Sequence, residues 1–273
     1  MALTEFQRAV CRLIAEQHIA SGESYVAGGV ALNTLTKAAR VSRDIDLFHD
    51  SAEAVTTSWQ ADRKLLESHD YRIQTQRERD GFVEAEISKA GESVIVQWAA
   101  DSAFRFFPLM RHEDFGLTLH PFDLATNKVL ALVGRLEARD WVDVVNCHER
   151  IQRLGYLAWA ASGKDPGFSP AGILDQAGRS ARYSAAEIEA LAFDGPPPDA
   201  AELSHRWHHM LNEARELVAA LPPAEVGTCV LEVGGNLFMG DGEELRAALT
   251  RHEVRFHEGR MHGAVPRLRP KDP

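Results

Sequence analysis

The sequence is short of the features that would classify it at a glance. Its three cysteines, Cys11, Cys147 and Cys229, are far apart, odd in number and without CxxC or CxxH spacing. That excludes a disulfide framework and a zinc knuckle and leaves reduced, structural thiols. No apolar run approaches the roughly 18 residues a membrane span requires. The opening MALTEFQRAVCRLIAEQH lacks the basic start and unbroken apolar centre of a signal peptide, so a cytoplasmic protein without a membrane partner is expected. Positive charge is also scarce: 30 Lys and Arg stand against 40 Asp and Glu, giving a formal net charge of −10. A diffuse electrostatic grip on nucleic acid by the whole molecule is thereby excluded. A local basic mouth is not, and Arg40, Arg43, Arg105, Lys128, Arg135 and Arg139 are the residues available for one.

What is present is ordinary globular material. Hydrophobic residues make up 45% and charged residues 26% of 273, enough for one large domain or two modest ones with a proper core. Residues 3 to 20 repeat apolar positions with helical period, and Thr4 is placed to cap them. "YVAGG" reads as a short buried strand ending in a glycine turn, "VALNTLTKAAR" as a helix, "DIDLF" as a strand, and 52 to 68 as a helix. "YRIQTQRER", "GFVEAEISKAG" and "SVIVQWAAD" read as an antiparallel meander, and "PLMRHEDFGLTLHP" as a loop with a short strand. "FDLATNKVLALVGRLEA" and "RDWVDVVNCHERIQRLG" then carry the 3.6 period, with further helices near 169–178, 184–191 and 200–220. The prolines of "FDGPPPDAAELS" make a stiff connector. From 226 the pattern is a small hairpin, a helix and a final strand, followed by ten loose residues. There is no internal repeat.

One stretch raises a physical question. In "AGGVALNTLTKAARVSRDIDLFHD", residues i and i+2 of a strand project to the same face, so Asp44 and Asp46 stand side by side while Ile45 and Leu47 turn to the core. Two carboxylates that close repel unless something positive lies between them, and a divalent cation is the economical answer. Magnesium takes a few carboxylate oxygens and completes its shell with phosphates and water. Gly28 and Gly29 let the backbone approach a phosphate, and the helix after them offers free N–H groups at its positive end. Ser42 either hydrogen-bonds a phosphate oxygen or terminates the preceding helix.

The glycine pair, helix and DxD strand resemble the core of the nucleotidyltransferase superfamily. In "ATNKVLALVGRLEARDWVDV", Lys128 and Arg135 match a K-x-x-x-x-x-x-R helix, and Arg139, Asp140 and Asp143 match a basic-Asp-x-x-Asp element. The ordered set, over residues 20 to 150, resembles the AbiEii/AbiGii family of toxins, the enzyme half of bacterial type IV toxin–antitoxin systems. Taken alone, Lys128 and Arg135 are two helical turns apart and share a face, while Asp140 and Asp143 are one turn apart at a helix start. They bracket a triphosphate or form a surface salt bridge. Lys128, flanked by apolar residues, needs a partner in either case.

The resemblance agrees with the α+β plan read from the run of elements, a mixed head, a helical body and a small β-containing tail. A nucleotidyltransferase-like mixed sheet with flanking helices would occupy 1–120, a helical domain completing the active site 121–225, and a small hairpin-and-helix tail 226–273. It implies Mg²⁺ on Asp44 and Asp46, an NTP co-substrate, and nucleotide contacts from Gly28, Gly29, Ser42, Arg43, Lys128, Arg135 and Asp143. Asp44, Asp46, Lys128 and Asp140 would be catalytic, with Asp140 positioning or deprotonating the acceptor. A tRNA 3′ end or a protein hydroxyl is the implied acceptor and an antitoxin the implied partner. The third carboxylate of many such enzymes is missing from its expected strand, where Gln97 stands, with Asp101 and Glu86 nearby. Two other readings keep the fold: an antibiotic-modifying nucleotidyltransferase, and a degenerate nucleotide-binding or protein-interaction module. His205, His208 and His209 have metal-binding spacing without a carboxylate or cysteine nearby, and read as surface or packing residues.

Overall fold

The computed structural model describes residues 3–179 and 183–267. Chain order runs α1 (Glu5–Ser21), β1 (Ser24–Ala27), α2 (Gly28–Thr36), β2 (Asp44–His49), α3 (Ala52–Ser68), β3 (Arg72–Arg79), β4 (Phe82–Lys89) and β5 (Glu92–Ala100). Short strands β6 (Phe104–Arg105), β7 (Met110–His112) and β8 (Gly116–Thr118) follow. Then come α4 (Pro121–Arg135), α5 (Ala138–Arg150), α6 (Leu154–Lys164), α7 (Pro170–Arg179), α8 (Ala185–Glu189), α9 (Ala200–Ala220), β9 (Thr228–Glu232), α10 (Gly242–Thr250), β10 (Val254–Glu258) and β11 (Arg260–Met261). The fold is α+β, and it divides into two compact units. The first is 1–103 with 109–120 and 192–195; the second is 104–108, 121–191 and 196–273.

The first unit is built on a seven-stranded mixed sheet of order β3-β4-β5-β2-β1-β8-β7. β3, β4 and β5 form the expected antiparallel meander, β5 runs parallel to β2, β2 antiparallel to β1, and β1 parallel to β8. One face is dry. Ile45, Leu47, Val83, Ala85, Val96 and Trp98 alternate onto it and are buried, and Trp59 of α3 packs on Trp98 with ring centroids 4.7 Å apart. Charge is nonetheless locked into this core. Asp62 of α3 accepts from Trp98 Nε1 at 2.8 Å and meets His18 Nε2 at 2.9 Å. The opposite face of β2, β5 and β4 stays half-exposed, which is where a sheet can present chemistry.

α1 is capped as its sequence dictates: Thr4 Oγ1 accepts from the Gln7 N–H and Gln7 Oε1 from the Thr4 N–H. α2 begins at Gly28 itself and stops at Thr36, four residues short of the expected end, where Lys37 turns left-handed at φ 52°.

The second unit is mainly helical. The single helix expected over 139–155 is two: α5 ends at Arg150 and α6 restarts at Leu154, with His148 Nδ1 accepting the Leu154 N–H at 3.1 Å. α6 is buried from Leu154 to Ser162, so it has no solvent face to reveal a period. The segment from 226, expected as a tail, contributes Val230 and Leu245 to one apolar cluster with Tyr156, Trp159, Leu217 and Leu221. β9 and β10 pair antiparallel. The largely covered side chain of Lys164 reaches within 2.8 Å of Asp123, whose carboxylate also accepts the Phe106 and Phe107 N–H groups. Of the ten terminal residues expected to be loose, 268–273 lie outside the described residues.

Candidate functional site

The site in the first unit starts from the alternation of β2. Asp44 and Asp46 occupy its half-exposed face, Ile45 and Leu47 its fully buried one. Ala27 of β1 is the register partner of Asp46, so the chain leaves β1 beside that carboxylate and enters α2 through Gly28 at φ +64°. A Cβ on Gly28 would overlap Oδ2 of Asp46. Glycine is therefore demanded twice there, by the left-handed backbone and by the close approach. A Cβ on Gly29 would fall 2.6 Å from Nη2 of Arg40 and 2.9 Å from Oγ of Ser42. The glycine turn is thus where a carboxylate, a guanidinium and a hydroxyl meet.

Backbone donors complete it. The N-cap of α2 is Ala27, and no side chain among the described residues caps it. First-turn N–H groups of an uncapped helix, at the positive end of its dipole, are ready donors for an anion.

Arg40 is the cation that the sequence reading did not single out for this turn. It is buried, whereas Arg43, expected to bind nucleotide, is exposed. Residues 192–195 hold the Arg40 loop by strand-like bonds, Val41 N–H to the Ala192 carbonyl at 2.8 Å and Asp194 N–H to the Ala39 carbonyl at 2.7 Å. The Gln7 amide donates to the Ser42 carbonyl at 2.9 Å. The return of a segment some 150 residues downstream, with Gln7, holds the loop in which Arg40 is turned in, and no local signal announces it.

Do these residues fit a divalent cation? Two carboxylates share a face beside the first-turn N–H groups of α2, but among the described residues no three His, Cys, Asp or Glu side chains converge. The set suits a hard cation that completes its shell with substrate phosphates and water, and does not suit a closed all-protein cage. His205, His208 and His209 are exposed on α9.

The second unit gathers the other expected residues. Lys128 Nζ lies 3.0 Å from Asp140 Oδ1 and 3.1 Å from Asp143 Oδ2. Arg135 forks onto Asp140, with Nε to Oδ2 at 2.6 Å and Nη2 to Oδ1 at 3.0 Å. Lys128, Asp140 and Asp143 are buried, and Leu136 at φ 56° makes the turn from α4 into α5. Burial pushes the Asp140 carboxyl up, but the Arg135 hydrogen bonds and the Lys128 charge outweigh it and hold the group below the usual carboxylate range. A carboxylate held ionised by two cations is a weak base and a firm anchor.

No protein-family model and no curated protein sequence matches the chain. Solved structures match in fold. JHP933 from Helicobacter pylori is similar at a TM-score of 0.52 and 15% identity, covering 80% of this chain and 95% of its own. MenT4, a nucleotidyltransferase toxin from Mycobacterium tuberculosis, is similar at a TM-score of 0.50 and 13% identity, covering 80% and 83%. The fold is thus nucleotidyltransferase-like, as the motifs led one to expect.

Proposed function

We propose that this chain is a magnesium-dependent nucleotidyltransferase that moves a nucleoside monophosphate from an NTP to an acceptor hydroxyl. The observation that carries the reading is the packing of Asp46 against Gly28 at the uncapped start of α2. It sets carboxylates for a cation beside amides for a phosphate. Asp44 and Asp46 hold the cation; magnesium, when bound, draws charge off the triphosphate. The Gly28 and Gly29 N–H groups, Ser42 and Arg40 orient the phosphates. In the transfer, the acceptor oxygen bonds the α-phosphorus, the bond to the bridging oxygen breaks, and pyrophosphate leaves. On the strength of the K-x-x-x-x-x-x-R resemblance, Lys128 is assigned to neutralising phosphate charge, with Arg135 beside it. Asp140 and Asp143 position the Lys128 ammonium, and the acceptor proton passes to solvent.

The motif resemblance and the likeness in fold to a toxin support a type IV toxin role, with a tRNA 3′ end or a protein hydroxyl as acceptor and a cognate antitoxin as partner. The test is a panel of α-labelled NTPs with Mg²⁺, offered total tRNA, cell protein and aminoglycosides, alongside expression of wild type and Asp46→Ala. Label in tRNA or protein from wild type alone, with growth arrest that Asp46→Ala relieves, is the expected result. Equal arrest by both proteins would sink the toxin role. Label confined to an aminoglycoside would make the chain an antibiotic-modifying enzyme, and NTP binding without any transfer would make it a binding module.

A further inference from the structure

One row of side chains crosses the open face of the sheet at the level of Asp46. Asp46 of β2 is the register partner of Gln97 on β5, Gln97 of Glu84 on β4, and Glu84 of Arg77 on β3. Gln97 Nε2 donates to Glu84 Oε2 at 2.7 Å, and Arg77 Nε lies 3.6 Å from Glu84 Oε1. A carboxylate accepts and does not donate, so the amide nitrogen must be the atom turned to Glu84; flipped, it would set oxygen against oxygen. With its nitrogen committed to Glu84, the amide keeps Oε1 as its acceptor, and Asp46 of β2 is next in the row.

The acidic alternatives fall away on geometry. Asp101 follows the end of β5, its N–H bonded to the His49 carbonyl, so it is level with residue 50 and roughly 13 Å along the strand from Asp46 at about 3.3 Å per residue. Glu86 is separated from Asp44 by the intervening Ile95, two strand spacings or roughly 10 Å away. Of Gln97, Asp101 and Glu86, it is Gln97 that stands on a strand adjacent to Asp46, at its level and on its face.

Resting on the cation-dependent reading above, we infer that the amide carbonyl of Gln97 is the third protein oxygen of the divalent-cation site, and that Glu84 is the positioning residue that fixes its orientation. The protein then contributes two negative charges and one neutral oxygen. Cation affinity is low until an NTP brings its phosphates, since ligand charge count sets affinity at oxygen sites. The same neutral oxygen cannot act as a general base.

The test is titration of the full-length chain with Mn²⁺, read from the electron paramagnetic resonance signal of the free ion, with and without a non-hydrolysable NTP analogue. Three substitutions have distinct expected results. Gln97→Leu weakens Mn²⁺ binding about tenfold, Glu84→Gln weakens it less, and Gln97→Glu tightens it by adding a charge. Because Gln97→Leu and Gln97→Glu are expected to move affinity in opposite directions, a folding defect does not imitate the pattern. Unchanged affinity in both, or weakening in both, overturns the inference. If Asp46→Asn meanwhile abolishes binding, the proposed function stands without it; if wild type binds no Mn²⁺ even with the analogue, both fall.

Discussion

Gly28 and Asp46 share a space that admits no side chain between them: a Cβ at residue 28 would coincide with the Asp46 carboxylate. Gly28→Ala therefore faces two costs, about 1–2 kcal/mol for a left-handed L-residue and the displacement of a proposed metal ligand. Gly81, at φ +66°, is the control, because a Cβ there meets the Ala100 and Ala52 methyls at 3.4 and 3.6 Å and no carboxylate. Both alanine variants are expected to lower the urea midpoint, and only Gly28→Ala to lose nucleotide transfer. Retained transfer in Gly28→Ala would remove the packing argument.

The Lys128 cluster predicts an order of stabilities. Removing the ammonium takes one cation away from both buried carboxylates, Asp140 and Asp143, so Lys128→Met is expected to cost about 3–5 kcal/mol. The Arg135 side chain is 47% exposed, and water can replace it, so Arg135→Gln should cost about 1 kcal/mol or less. Urea denaturation of the two variants measures the order, and a reversal would contradict the buried geometry.

Acid should destabilise the protein through one buried histidine, His49, and one half-buried histidine, His148. Burial, with the charge of His18, pulls His49 down to about 4; burial, with the charges of Arg153, His209 and Arg206, pulls His148 down to about 4. These are depressed folded-state values, so the unfolded chain binds more protons between about pH 6.5 and pH 4. Their contribution is fully present above 6.5 and is lost as pH falls through that window, at about 1.4 kcal/mol per pH unit for each group. Urea midpoints measured from pH 7 to pH 4 should fall, and His49→Asn should make the fall shallower. An unchanged slope in that variant would show that His49 does not titrate as its burial requires.

All three thiols should be inert in the native state. Burial, aided by the Asp114 charge, pushes Cys11 up to about 12; burial with Asp143 raises Cys147, and burial with Asp123 raises Cys229. A thiolate-selective reagent at pH 8 is expected to label none of them until denaturant is added. Fast labelling of any one in the folded protein would contradict this.

The helices and strands that were legible in the sequence are those with one wet face. α1, with its Thr4–Gln7 box, the alternating β2 and the β3–β5 meander stand where their periods put them. α6 was hard to delimit because it is buried all round, and the break between α5 and α6 depends on His148 accepting a backbone N–H six residues away. The buried carboxylates Asp62, Asp114 and Asp123 gave no warning either, since each is tolerated because of a partner remote in sequence.

For the candidate site the division is sharp. The amino-acid order alone determined that two carboxylates share one face of a strand behind a double glycine, and that Lys128 and Arg135 share one face of a helix, because periods of two and of 3.6 residues are local properties of the backbone. Only the tertiary structure decided that Arg40 and not Arg43 is turned in at the glycines, that Asp140 is anchored by two cations, and that Gln97 stands level with Asp46. Those outcomes depend on strand register and on segments brought together from distant parts of the chain, which the free energy of burying the whole core selects and no window of sequence contains.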